Sequence, residues 1–252
     1  MQPFSRTSPL ASRLTGPHPR PRPLLFCLLF LLGAGLSAQV YEAGFGVELS
    51  PHFGNRRITG GQGLIFTEVE RQDSLESGVP GYSVGLVYDS RAGKIGFTTG
   101  LRYIRTGYDV SEQRSGRPGS PRSFSQEVRA SYLSLPIDLN FWQDVTEKDR
   151  VMFTFGLAAS VHLNTRVRQT DFLDGMALET TDLPDDPDTD YRSPIVTLNT
   201  GLGLDHKFND DWSLRFQPVF SFFLQGNITD ATERTNRNYY QLAGRLTVRR
   251  IL

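Results

Sequence analysis

Few residues of this 252-residue sequence have a type and spacing that could do chemistry. Ser160 and His162 lie two apart, so on a strand they share a face. A hydroxyl and an imidazole so placed could serve as nucleophile and general base in hydrolysis. No third, orienting acid can be identified, so they read as ordinary polar residues, and no catalytic residue is expected. The stretch TTDLPDDPDTDYR gathers aspartates, and Asp186, Asp188 and Asp190 imitate the first, third and fifth ligands of an EF-hand loop. Tyr191 then stands where the loop needs Gly, and Thr197 where it needs Glu. A weak, irregular Ca²⁺ loop at Asp186, Asp188 and Asp190 is the only metal candidate; neither a metal nor a cofactor is expected. GGQG at 60–63 lacks the Lys-Ser/Thr that a phosphate-binding loop requires.

The elements that must position such side chains are strands. After residue 39, apolar and polar residues alternate with period two in eight segments, most of them 10 residues or longer. Strands of globular proteins average about 5–6 residues. In ASYLSLPIDLNFW, Leu133, Leu135, Ile137, Leu139 and Phe141 share one face. Phe153 and Phe155, Leu214 and Phe216, and Leu242 and Leu246 continue that apolar face on later segments. The opposite face carries Gly, Ser and Thr with Glu42, Glu48, Arg102, Asp138, Asp205, Arg215, Arg245 and Arg249. Repeated small residues beside a few charges suit the crowded interior of a small barrel. Four charges of each sign predict a paired network, because a lone buried charge costs several kcal/mol. Such a plug argues against a diffusion pore.

Connector lengths alternate long and short, as in an up-and-down meander with tight turns at one end. The expectation is an all-β fold: an eight-stranded antiparallel transmembrane β-barrel with its apolar face towards lipid. Two aromatic girdles are expected: Tyr41, Tyr88, Phe97, Phe141, Trp142, Phe153 and Trp212 at one rim, and Tyr82, Tyr103, Tyr108, Tyr239 and Tyr240 at the other. Pro136 lacks a ladder donor and predicts a bulge or weakened pairing.

Residues 1–38 read as a signal peptide, with Arg6, Arg13, Arg20 and Arg22 before an apolar run from Leu24 to Leu36. The barrel domain is then 39–252. Cys27, the only cysteine, lies in that run, and Phe26 before it does not fit a lipoprotein signal. With 27 basic and 27 acidic residues, nothing points to nucleic acid.

LSAQ at 36–39, YLSLPIDLNFW at 132–142, WSLRFQPVFSFFL at 212–224 and YYQLAGRLTVRRIL at 239–252 carry a family resemblance. The chain resembles the small outer-membrane β-barrel proteins of Bacteroidetes, the porin-like group that includes PorT-type barrels. The resemblance implies residence in the bacterial outer membrane and insertion by the barrel-assembly machinery, which reads the last strand. That strand departs from the pattern by ending in Ile251-Leu252 and not in an aromatic residue. Its expected partners are outer-membrane lipid and an external ligand met through loops 52–80 and 165–193. The expected role is structural, binding or interaction, not enzymatic. A small channel is the alternative, with a lipid-modifying enzyme or a soluble periplasmic lipid binder behind it.

Overall fold

A computed structural model of the chain describes residues 42–60, 66–114, 122–184, 190–229 and 235–252. The expected signal peptide at 1–38, Tyr41, Asp186, Asp188 and residues 61–63 lie outside this range. The strands are β1 (Glu42–Gly60), β2 (Glu76–Ala92), β3 (Ile95–Arg114), β4 (Arg122–Asp144), β5 (Asp149–Leu173), β6 (Met176–Leu183), β7 (Ile195–Lys207), β8 (Trp212–Phe223) and β9 (Thr235–Ile251). Among the described residues one helix, α1 (Phe66–Leu75), lies between β1 and β2.

Every pairing is antiparallel, and β1 through β5 followed by β7, β8 and β9 form a ring of eight. The ring closes where β1 meets β9, with Leu49 opposite Leu246. Closure leaves no edge strand within the ring of eight, as a sheet in hydrocarbon requires. The ninth strand, β6, pairs only with the far end of β5, as the second arm of a hairpin.

The short turns follow local chemistry. Gly93, at φ +60°, turns β2 into β3. Between β4 and β5, Thr146 Oγ1 accepts the Asp149 backbone N–H at 2.8 Å. Between β7 and β8, Asn209 Oδ1 accepts the N–H groups of Asp211 and Trp212, closing an Asx turn.

Three prolines leave a common mark. The β3–β4 ladder stops at Thr99↔Ile137 and resumes in the same register at Arg102↔Ser134, skipping the rung of Pro136. Pro51 interrupts the β1–β9 ladder and Pro218 the β7–β8 ladder in the same way. Each proline stays paired on its other side, with Ala158, Tyr82 and Gly244 respectively. A proline has no N–H to give, so a closed sheet loses pairing on one side only. At Pro136 the result is weakened pairing; the nearby bulge lies at Ser131/Tyr132.

The expected loop 165–193 is largely sheet, and 52–80 holds the end of β1, the helix α1 and the start of β2. β1 continues to Gly60, β2 starts at Glu76, β5 runs to Leu173 and β6 returns from Met176. The outward residues there turn polar, as at Arg57, Thr59, Arg166 and Arg168, which ends the apolar alternation but not the hydrogen-bond ladder. A strand needs about 9–11 residues to cross a bilayer, and β5 has 25.

Candidate functional site: a filled barrel interior

The outer wall is an apolar belt. Leu135, Ile137, Phe155, Phe216 and Leu242 are each at least half exposed, and Leu133, Leu139, Phe141, Phe153 and Leu246 are exposed as well. Leu214 shares the wall but is half-buried. No helix among the described residues is long and apolar enough to cross a membrane.

The interior inverts this pattern. At the short-turn end, Arg150 donates to Glu42 Oε2 at 2.9 Å and to Asp205 Oδ2 at 2.6 Å. Arg249 reaches the same two carboxylates, at 2.7 and 3.4 Å. Arg150 and Arg215 flank Asp205 on the neighbouring strands β5 and β8. Arg215 also crosses the ring to Asp89 on β2, both Nη atoms donating at 3.2 Å. The Trp142 indole lies amid the guanidinium groups of Arg91, Arg150 and Arg215, 5.0–5.4 Å from its centroid. Gly96 makes this possible, since a Cβ there would sit 2.5 Å from the indole nitrogen.

The next layer is a quartet. Arg102 and Arg245 lie between Glu48 and Asp138, with closest contacts of 2.8 to 3.4 Å. Gly156 makes room for Asp138, whose carboxylate a Cβ at 156 would strike. Asn140, Thr154 and Gln217 extend the network with hydrogen bonds of 2.6–2.7 Å.

Above the quartet lies a cavity of about 30 Å³ ringed by Ser50, Ser83, Ser134, Thr197, Ser221 and Gln241. A space of that size holds one or two waters. Aromatic rings then close the bore. Tyr132, Phe223 and Tyr239 are each 1% exposed and meet edge to face at 5.6–6.5 Å. Tyr108 packs beside Tyr239 and carries the Arg237 guanidinium 4.7 Å above its ring. Arg237 and Arg56 share the buried carboxylate of Glu76, with Arg56 Nε 2.9 Å from it.

All eight sequence-predicted charged residues thus lie in the bore and in ion pairs. Asp89, on the polar face of β2, joins them, and so do Arg150, Glu76, Arg56 and Arg237, which the sequence does not single out. Arg150, beside the short turn from β4 to β5, shares the inward phase of Met152 and Thr154. Three girdle assignments are corrected: Trp142, Tyr108 and Tyr239 point inward. The phase that turns Arg102 in also turns Tyr108 in, and that of Gln241 and Arg245 takes Tyr239 with it.

Ser160 is fully buried and donates to Ser134 Oγ at 2.9 Å. His162 instead meets Thr165 Oγ1 and stacks on Tyr191 at 4.2 Å. Asp190 is exposed, and its carbonyl accepts the Thr229 N–H. Outside the barrel, Arg71 forks onto Glu68 in α1 at 2.7 and 2.9 Å, and these hydrogen bonds hold the Glu68 carboxyl down at about 2.

A closed antiparallel ring with an apolar wall and an ion-paired bore defines a membrane β-barrel protein. The chain belongs to the outer membrane protein beta-barrel domain family, whose model matches residues 37–222. Its place is the outer membrane, with the belt in lipid. Solved structures with a similar chain path include Neisserial surface protein A, at 11% identity and TM-score 0.41, covering 82% of this chain and 97% of that one. The Ail attachment invasion locus protein of Yersinia pestis matches at 10% identity and TM-score 0.33, with coverages of 82% and 97%. The outer membrane protease OmpT of Escherichia coli matches at 6% identity and TM-score 0.44, covering 84% and 97%. A search of the curated proteins finds no match. The expectation of a non-enzymatic chain is withdrawn here. With a protease among the matching barrels, the fold gives no ground for excluding catalysis.

Proposed function

We propose that this outer-membrane barrel is closed to solutes and works through the hairpins that rise past its belt at the long-loop end, which faces the cell exterior. The observation that carries this reading is the filled bore, in which a charged quartet and an aromatic layer leave only about 30 Å³ between them. A barrel that passes nothing through its centre must meet its partners at its ends. Short turns on the periplasmic side and long connections outside are the ordinary arrangement for such barrels. The β5–β6 hairpin, α1 and the upper parts of β3 and β4 form the surface offered there. The residues at 132–142 and 212–224 support placing the chain among the small PorT-type barrels.

Protease added to intact cells and solute uptake by proteoliposomes test the two halves of this reading. Cleavage between Arg166 and Arg192 on intact cells, with no uptake of small sugars, is expected. Cleavage only after the outer membrane is opened, or uptake at porin rates, would overturn it.

A further inference from the structure

Arginines stand on the outer wall where the belt ends. On β3 the outward residues run Leu101, Tyr103, Arg105; on β4 they run Leu133, Ser131, Arg129. On β5 the ladder passes from Tyr132↔His162 to Ser131↔Asn164, so Leu163 is an extra residue. Bulges re-aim the strand beyond them. Here Leu163 and Asn164 are both exposed, and Arg166 follows on the outward side. Pairing then aligns Arg105, Ser131 and Asn164 on one rung, with Arg129 and Arg166 opposite each other two residues further on.

These side chains, with Tyr103, line a groove of about 140 Å³. Arg129 is held in place: Nη1 donates to Asp109 Oδ1 at 2.7 Å, to the Val128 carbonyl at 3.1 Å and to the Tyr108 carbonyl at 3.3 Å. Glu127 lies 4.0 Å from its Nη2. Arg105 and Arg166 have no acidic partner within 4.0 Å among the described residues. The Tyr103 and Ser131 hydroxyls, bonded to each other at 2.9 Å, add polar atoms to the groove. Two unneutralised guanidinium groups flanking a polar groove match a phosphate, which takes forked hydrogen bonds from arginine. The position selects the source. Two residues below stand Tyr103 and Leu133, the upper edge of the belt, so a bound phosphate would sit at headgroup depth.

We propose that this groove binds the phosphate of a membrane lipid whose acyl chains lie on the belt beneath it. The inference rests on the exterior placement of the long-loop end only for which leaflet supplies the lipid. The test is native mass spectrometry of the full chain in mild detergent with lipid A, dephosphorylated lipid A, phosphatidylglycerol or inorganic phosphate. Wild type should retain lipid A, and dephosphorylation should cut retention roughly tenfold or more. Arg105→Gln/Arg166→Gln should lose it equally while keeping heat-modifiable migration, which shows that the barrel is folded. Arg168→Gln, whose residue already pairs with Asp182, should bind as wild type does. Preference for phosphatidylglycerol over lipid A would keep the phosphate site and refute only the exterior placement. Equal retention of the dephosphorylated lipid, unchanged binding by the double variant, or full competition by inorganic phosphate would overturn the proposal.

Discussion

Arg102 and Glu48 meet inside the barrel with Nε 2.8 Å from Oε1, although β2 stands between their strands. Both side chains are almost wholly buried, so the contact ties β3 to β1 across the bore and not along a ladder. Asp138 and Arg245 complete a group that is neutral as a whole and costly when incomplete.

Removing one member should therefore hurt more than removing an opposite pair. Arg102→Met should destabilise the barrel by about 3–5 kcal/mol, because Glu48 and Asp138 are left with one cation between them. Glu48→Gln/Arg102→Met should recover more than half of that loss. Urea titrations scored by the heat-modifiable gel shift give both numbers, and a double variant no better than the single one would sink the quartet.

Charge on the outer wall should cost according to depth. Ile137→Arg, near mid-belt, should destabilise by about 2–4 kcal/mol, and Gln143→Arg at the rim by about 0–1 kcal/mol. Equal costs in lipid vesicles would mean that the belt does not span the hydrocarbon.

Gly156→Ala tests the packing of the bore. The added methyl meets the Asp138 carboxylate and should cost about 1–3 kcal/mol as overpacking. A thermal midpoint equal to that of wild type would show that Asp138 is free to move.

The Glu68 carboxyl on α1 should titrate at about 2 and not at the usual 4.5. Its folded value is depressed, so its contribution to helix stability is complete above pH 4.5 and fades as pH falls through about 2. The group is partly exposed at the surface of α1, so the effect is local. Carboxyl NMR should show the low midpoint, and Arg71→Gln should raise it; an ordinary midpoint in wild type would refute the pairing.

The ring of eight and its inward charges were legible because one physical rule produced both. Lipid outside and a crowded bore inside force strict alternation, and Leu133–Phe141 displays it without a break. Where lipid ends, the signal ends, so β1 beyond His52 and β5 beyond Asn164 read as loop although their ladders continue. One local sign was present: Asp174-Gly175 turns β5 into β6 with φ of +49° and +79°, the left-handed pair that a two-residue hairpin needs. Tyr108, Tyr239 and Trp142 follow the inward phase of their strands, which overrides the preference of aromatic rings for the membrane interface. The cross-bore partners, such as Arg215 with Asp89, depend on how eight strands curl, which spacing along one strand does not carry.

The most direct test of the filled bore is single-channel recording of the purified chain in planar bilayers. Wild type should give no steady conductance steps at any voltage that the bilayer withstands. Steady, reproducible openings from folded, heat-modifiable protein would contradict a bore closed by the Glu48–Arg102 quartet and the Tyr132 aromatic layer.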